Sequence, residues 1–475
     1  MRMGTTKLLE KLRFGEKLTL REQALLTIQL SIPAIFAQIS SIVMQYIDAS
    51  MVGHLGADGS AAIGVVASST WLMGGLCSAA STGFTVQVAQ RIGARDEKGA
   101  RSIVRQGLMT VLIFSSALML CGIFVSGGLP VWLGADASIC GNASGYFLVY
   151  ACFLPVLQLN SAAGGMLQCS GNMRLPSMLH IMMCFLDVVF NAILIFPTRE
   201  LAIGGTDATL RIYGAGLGVM GAALGTALAE LVAACLMLYF LLVRSPMLHL
   251  RKKERLKFRA DDIKAAVRIA LPVGFEQVVM CGAQIMSTRI VAPLGTVAIA
   301  ANSLSVTAES LCYMPGYGIG TAATTLIGQS IGAGRRDLTR RLGWLTTGLG
   351  MLVMTGSGLL LFFGAPFMIG LLTPDAAIRA LGTQILRIEA FAEPMYAASI
   401  VASGVFRGAG DTLVPSFMSL FCMWAVRIPL AAALAVSYGL QGVWIAMCVE
   451  LCVRGVLFLM RLRGTKWQQR ISHEK

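Results

Sequence analysis

Twelve continuous apolar runs, each about 20 residues or longer, recur along this chain and limit its possible folds more than any other feature. A helix rises 1.5 Å per residue, so about 20 residues cross the roughly 30 Å hydrocarbon core of a bilayer. Inside lipid every backbone N–H and C=O must be paired within the protein, which leaves only helices or closed barrels. Barrel strands alternate apolar and polar residues, and these runs do not. The expected fold is therefore an all-α integral membrane protein. Its twelve transmembrane helices are placed near 27–51, 61–90, 102–126, 141–163, 174–197, 215–243, 264–291, 297–330, 341–364, 378–404, 412–436 and 440–461. Only 13% of residues are charged and the mean hydropathy is +0.72, against about a quarter charged in soluble domains.

A net charge of +14 invites a nucleic-acid partner, but the placement of the charge excludes one. Of the 38 Lys and Arg residues, 31 lie before span 1, after span 12, or in the even-to-odd connections, counting those at the adjoining span ends. The opposite loops hold only Arg199, Arg211 and Arg379, while Arg289, Arg387, Arg427 and Arg454 lie within spans. That bias is the positive-inside rule, so a multi-pass protein of the bacterial cytoplasmic (plasma) membrane with both termini cytoplasmic is expected. The first 22 residues are basic and show no small-residue cleavage site, which predicts an interfacial helix rather than a removable signal. The stretch "RKKERLKFR", 251–259, reads as a cytoplasmic linker lying beside anionic membrane lipids. Twelve cysteines form no CxxC, and four histidines form no HExxH, so neither a resident metal nor a cofactor is expected. No GxSxG-type nucleophile accompanies them, and an intramembrane enzyme is disfavoured.

The linker divides two related halves. A shift of 239 residues places "IPAIFAQ" (32–38) on "LPVGFEQ" (271–277), pairing Pro33 with Pro272 and Gln38 with Gln277. In the same register "VGHLG" (52–56) meets "VAPLG" (291–295), "QRIGA" (90–94) meets "QSIGA" (329–333), and "LQCSGNMRLPS" (167–177) meets "FRGAGDTLVPS" (406–416). Beyond an insertion near 198–215, Gly218 and Gly221 pair with Gly439 and Gly442 at a shift of 221. Six spans per half make the repeats parallel, an arrangement used by transporters that rock two bundles about a central site. The expected organisation is a segment 1–22, a six-helix lobe 23–243, a linker 244–262, a second lobe 263–462 and a tail 463–475.

Residues that the repeat does not reproduce are the informative ones. Asp48 falls on Ser287, and Asp187 and Asn191 fall on Val426 and Leu430. In the other direction Glu276, Glu309 and Glu393 fall on Ala37, Thr70 and Leu154. Carboxylates within a bilayer are costly and are retained where they do work. Asp187 and Asn191 stand four apart on one helical face, and their oxygens suit a proton or an alkali cation. Glu450 and Arg454, also four apart, are expected to neutralise each other, and Glu230 has no partner nearby in sequence. Pairs such as Gly221-xxx-Gly225 are expected at close helix crossings.

Taken together, "IPAIFAQISSIVMQYIDASMVGHLG", "QRIGA", "LDVVFNAILIF", "GVMGAALGT" and "GVFRGAGDT" resemble the multidrug and toxic compound extrusion (MATE) transporters over roughly residues 30–460. The resemblance implies two six-helix lobes enclosing a V-shaped central cavity, and export of amphiphilic, often cationic drug-like small molecules. It implies an inward H⁺ or Na⁺ flux as the driving force, alternating access, and a monomer. It assigns cation coupling to Asp48, Asp187, Asn191 and Thr226, with Asp48, Asp187 and Asn191 as a candidate Na⁺ site. Bending of span 1 falls on Pro33, about 22 Å along the helix from Asp48. In the second lobe, the acids of the Na⁺-coupled branch are replaced by Met280 and Tyr396, with Glu276 and Glu393 one turn earlier. Glu276, Gln277, Glu393 and Tyr396 are accordingly the substrate-cavity candidates, and H⁺ is favoured as the coupling ion. The alternative within the same superfamily is a lipid-linked oligosaccharide flippase, which would need a cavity rich in arginine.

Overall fold

A computed structural model describes residues 2–202, 209–250 and 258–468. Most of the basic linker (251–257) and the end of the tail (469–475) lie outside the described residues. A short amphipathic helix α1 (Arg2–Phe14) precedes the first lobe: α2 (Leu20–Gly53), α3 (Ala57–Gly93), α4 (Glu97–Ser126), the single turn α5 (Leu129–Trp132), α6 (Ala137–Cys169), α7 (Arg174–Leu194) and α8 (Gly218–Tyr239). A two-stranded antiparallel hairpin, β1 (Pro197–Ala202) and β2 (Thr209–Ala215), is the insertion that interrupts the repeat. The second lobe holds α9 (Ala260–Val291), α10 (Thr296–Gly332), α11 (Arg336–Leu372), α12 (Ala376–Ala390), α13 (Glu393–Gly408), α14 (Leu413–Phe421) and α15 (Ile428–Arg463).

Local signals set several helix starts. Thr19 and Glu22 form a capping box at α2: Glu22 N donates to Thr19 Oγ1 (3.2 Å) and Thr19 N donates to Glu22 Oε2 (2.9 Å). The Asp96 carboxylate caps α4, and that of Asp375 caps α12.

Among the described residues nine helical stretches are long and apolar enough to cross a membrane by length and composition alone. The other three expected spans are hidden for physical reasons. Residues 413–463 read as one 51-residue stretch, but Gly439 (φ +55°, ψ −136°) turns the chain there and separates spans 11 and 12. The polar residues of α10, Glu309 among them, lower its hydropathy. Span 10, expected to be continuous, breaks at Phe391 and Ala392 into α12 and α13. Pro394, which lacks an N–H, sits in the first turn of α13, where it is tolerated.

The repeat extends to backbone dihedrals. Gly56 and Gly295 take φ of +102° and +96°, Gly171 and Gly410 take +94° and +76°, and Gly218 and Gly439 both take +55°. Gly221 and Gly442 lie where a Cβ would approach a neighbouring carbonyl, of Leu194 (2.5 Å) and Leu434 (2.3 Å) respectively. Small residues at these crossings let backbones touch, as membrane helices require.

The lobes meet through α2 against α10 and α3 against α9, with α3 also touching α10. Their tightest contacts cluster at the end of the bundle that carries α1, called here the basic end. There a Cβ on Gly93 would sit 2.1 Å from Gln329 O, and one on Gly332 would sit 2.0 Å from Gln90 O. Gln329 Nε2 donates to Cys169 O (2.7 Å) and Gln90 Nε2 donates to Gly408 O (3.2 Å). All four residues are related in pairs by the 239-residue shift, so one seam is built twice. α1 lies across it. Arg13 donates to Ser170 O (2.9 Å) in the first lobe and to Gln329 Oε1 (3.1 Å) in the second, while Leu8, Leu9 and Leu12 join a buried cluster with Leu326 and Phe406. Toward the opposite, hairpin end, Tyr46 on α2 donates to Thr307 O on α10 (2.5 Å).

Candidate functional site

Three helices of the first lobe, α2, α7 and α8, bring together the residues that the repeat leaves unmatched. Asp187 and Asn191 are both fully buried on one face of α7, and half-buried Asp48 faces them from the last third of α2. The Asn191 side-chain amide uses both of its hydrogens. It donates to Asp48 Oδ1 (2.9 Å) and to Asp187 Oδ2 (3.1 Å), so one neutral amide bridges two carboxylates. Asp187 Oδ1 and Asn191 Oδ1 are buried with no hydrogen-bond partner. Buried acceptors are seldom left without a partner, and a pair of acids served by one donor has the chemistry to hold a proton or a small cation.

α8 supplies the wall. A Cβ on Gly225 would lie 2.0 Å from Asn191 Oδ1, so only glycine lets the amide sit where it bridges. Gly221 brings the same helix onto Leu194 one turn away. Thr226 donates to Ala222 O of its own helix (3.2 Å) and follows Gly225 on the stretch of α8 that packs on Asn191. Of the four residues named from the sequence for cation coupling, Asp48, Asp187 and Asn191 are joined by hydrogen bonds and Thr226 belongs to the helix that walls them. Among the described residues no cluster of three or more His, Cys, Asp or Glu stands at metal-holding range. Any cation here would rest on two carboxylates and one amide oxygen.

The second-lobe candidates do not share a place. Glu276 accepts from Ser416 Oγ on α14 (2.6 Å). Gln277 is wedged against Gly75 of α3, where a Cβ would lie 2.2 Å from its Cγ, so it packs one lobe on the other. Glu393 is fully buried beside the α12–α13 break, and neither of its carboxylate oxygens has a hydrogen-bond partner. Tyr396 stacks edge-on against Tyr313 (centroids 5.6 Å apart) under Arg454 (5.5 Å). Glu450 and Arg454 lie 3.1 Å apart as an ion pair. α2 runs unbroken through Pro33.

A cavity of about 520 Å³ lies between the lobes in the half of the bundle nearer the basic end, lined by α2, α3, α6, α7, α8, α10 and α13. None of Glu276, Gln277, Glu393 or Tyr396 lines it. Its wall is rich in hydroxyls and amides, and it carries Glu230, which accepts from Asn160 Nδ2 at 2.6 Å. Residues 160 and 230 are 70 positions apart, so no sequence spacing announces that pair.

Comparison with known proteins places this architecture. The sequence profile of the MatE family matches residues 33–193 and 272–433, one segment in each half. A probable multidrug resistance protein NorM of Thermotoga maritima is 25% identical over 452 residues, covering 93% of each chain. A protein of the same description from Xanthomonas axonopodis pv. citri is 27% identical, covering 92% of this chain and 93% of its own. Among solved structures, an outward-facing multidrug resistance MATE family transporter superimposes with a TM-score of 0.84 at 21% identity, over 93% of this chain and 96% of that one. A transporter of the wider superfamily from Pyrococcus furiosus fits equally well. With well over half of its length matched, one segment in each six-span half, this chain belongs to the MatE family and is a multi-pass membrane transporter.

Proposed function

We propose that this protein exports amphiphilic, often cationic small molecules by antiport, exchanging them for H⁺ through alternating access of its two lobes. The observation that carries the reading is the Asn191 amide bridging Asp48 and Asp187 on a face absent from the other half. With the basic end cytoplasmic, the doubled seam at Gly93 and Gly332 closes the cytoplasmic side in the described state. In this state a proton enters from the hairpin end and settles on the Asp48–Asp187 pair. It neutralises the charge that held a cationic substrate and favours release outside. Reopening of the seam then exposes the site to the cytoplasm, with α2 free to bend at Pro33. Na⁺ in place of H⁺ would use Asp48, Asp187 and the Asn191 oxygen.

The flippase reading is less well supported. Arg454 is paired with Glu450, and Arg427 stands within electrostatic reach of Glu309 and Glu389, so neither is free for a pyrophosphate.

The test is dye transport in proteoliposomes with pH and Na⁺ gradients imposed separately. Wild type should move ethidium under a pH gradient alone, and Asp48→Asn should abolish that movement with the protein still folded. Full transport by the variant would refute the assignment.

A further inference from the structure

We propose that Glu230, held by Asn160, is a second proton-carrying residue, through which the proton taken up at Asp48 and Asp187 leaves toward the basic end. The proposal rests on the H⁺-coupled reading above.

The geometry forms a ladder down the inside of the first lobe. Asp48, Asn191 and Asp187 form its upper rung. On α8, Glu230 follows Thr226 by four residues on the same face, about 6 Å further from the hairpin end. The antiparallel helices α7 and α8 touch at Leu194–Gly221 and Asn191–Gly225, which sets Glu230 near the level of Asp187. Below it, Asn160 of α6 donates to Glu230 Oε2 at 2.6 Å, while its own Oδ1 is buried without a partner. Both side chains line the 520 Å³ cavity, whose wall continues through Ser81, Thr85 and Gln168 to Thr325 at the seam. Beyond Glu230, hydroxyls and amides replace carboxylates.

A carboxylate in this position fits proton passage and has no structural duty that an amide would not perform equally well. The step balances without another reactant. The O–H bond on Asp187 breaks as one forms on Glu230, and the negative charge passes back to Asp187. Glu230 then releases the proton to water in the cavity when the seam opens. The other titratable or charged groups facing Glu230 are Tyr150 from α6, Cys184 and His180 from α7, Cys77 from α3 and Arg407 across the cavity. None of these is a carboxylic acid, which leaves Asp187 as the carboxyl group nearest to Glu230 on the neighbouring helix. His180 is engaged with Ser41 Oγ at 2.5 Å.

The experiment uses the full chain in proteoliposomes with ethidium as the probe and two assays. One drives uptake with a pH gradient; the other follows ethidium-for-ethidium exchange at equal pH on both sides, which needs the lobes to alternate but moves no net proton. Glu230→Gln keeps the size of the side chain and a group that can bond Asn160. It should lower pH-driven uptake at least tenfold and leave exchange within about twofold of wild type, and Glu230→Asp should restore the driven rate with a displaced pH profile. Equal driven rates in Glu230→Gln and wild type overturn the proposal, as does parallel loss of both assays, which marks a structural role. Absence of pH-driven uptake in wild type itself overturns the H⁺ reading first and this proposal with it.

Discussion

Replacing Gly93 or Gly332 by alanine should push the transporter out of the state described here. The new Cβ would sit 2.1 Å from Gln329 O or 2.0 Å from Gln90 O, where ordinary contact begins near 3.4 Å. The helices α3 and α10 must therefore part by about 1.3–1.4 Å, and the obstructing atoms are backbone carbonyls that have no rotamer to change. Overpacking of this kind costs about 1–3 kcal/mol. The whole cost falls on the closed seam, because the contact exists only while α3 and α10 cross there. At about 1.4 kcal/mol per factor of ten, the closed-to-open ratio at the basic end should fall by about 5- to 150-fold. Both glycines belong to one crossing, so the double variant should gain less than the product of the two. Spin labels at Lys98 on α4 and Asp337 on α11, both exposed at the basic end, read the separation of the lobes directly. Wild type should populate the shorter distance and each alanine variant the longer one, with slower driven transport. A folded variant whose distance distribution matches wild type would refute the reasoning, since the seam would then not be what holds that end closed.

Other substitutions test neighbouring links. Gly225→Ala should drive the Asn191 amide off its two carboxylates, each such bond being worth about 1.5–3 kcal/mol, and lower pH-driven ethidium transport more than tenfold; unchanged transport would mean the bridge is dispensable. Arg13→Ala removes the contacts from α1 to Ser170 and Gln329 while Leu8, Leu9 and Leu12 keep the helix docked, so the same spin-label pair should shift toward the open distance, by less than in Gly93→Ala. Glu450→Ala leaves Arg454 buried without its partner and should cost about 3–5 kcal/mol, seen as earlier thermal unfolding in detergent; a variant as stable as wild type would place the counter-charge elsewhere.

Much of this was legible before any coordinates, and the reason is the bilayer. Hydrocarbon forces each span to show itself as an apolar run, and duplication lets the two halves be subtracted from each other. What survives the subtraction is Asp48, Asp187 and Asn191, which the structure joins within 3.1 Å although 143 residues separate Asp48 from Asn191. Helical periodicity explains half of that outcome, since residues four apart share a face. The other half comes from Gly225, whose missing side chain fixes how near α8 may come. The glycine spacing was visible in the sequence, but which helix it admits was not.

The second lobe shows where the subtraction fails. Glu276, Glu393 and Tyr396 are unmatched too and Gln277 is matched to Gln38, yet the four end in different settings, because a side chain's face on a helix does not say which neighbour covers that face. Span 10 adds a second cause. The helix expected to be continuous is interrupted at Phe391 and Ala392, directly before Glu393, and Pro394 is the one local signal for it. The pair Asn160 and Glu230 illustrates a third. Each residue taken alone is an ordinary polar interruption of an apolar span, and only the packing of α6 on α8 makes them a hydrogen-bonded unit facing a cavity. The same packing term separates the lobes chemically. Repeat-related backbones supply the two sides of one seam between the lobes. The acids, placed once, give the two halves unequal charge. The proposed coupling of ion flux to lobe movement needs both properties, a symmetric seam and an asymmetric charge, and in this chain they are written by different residues.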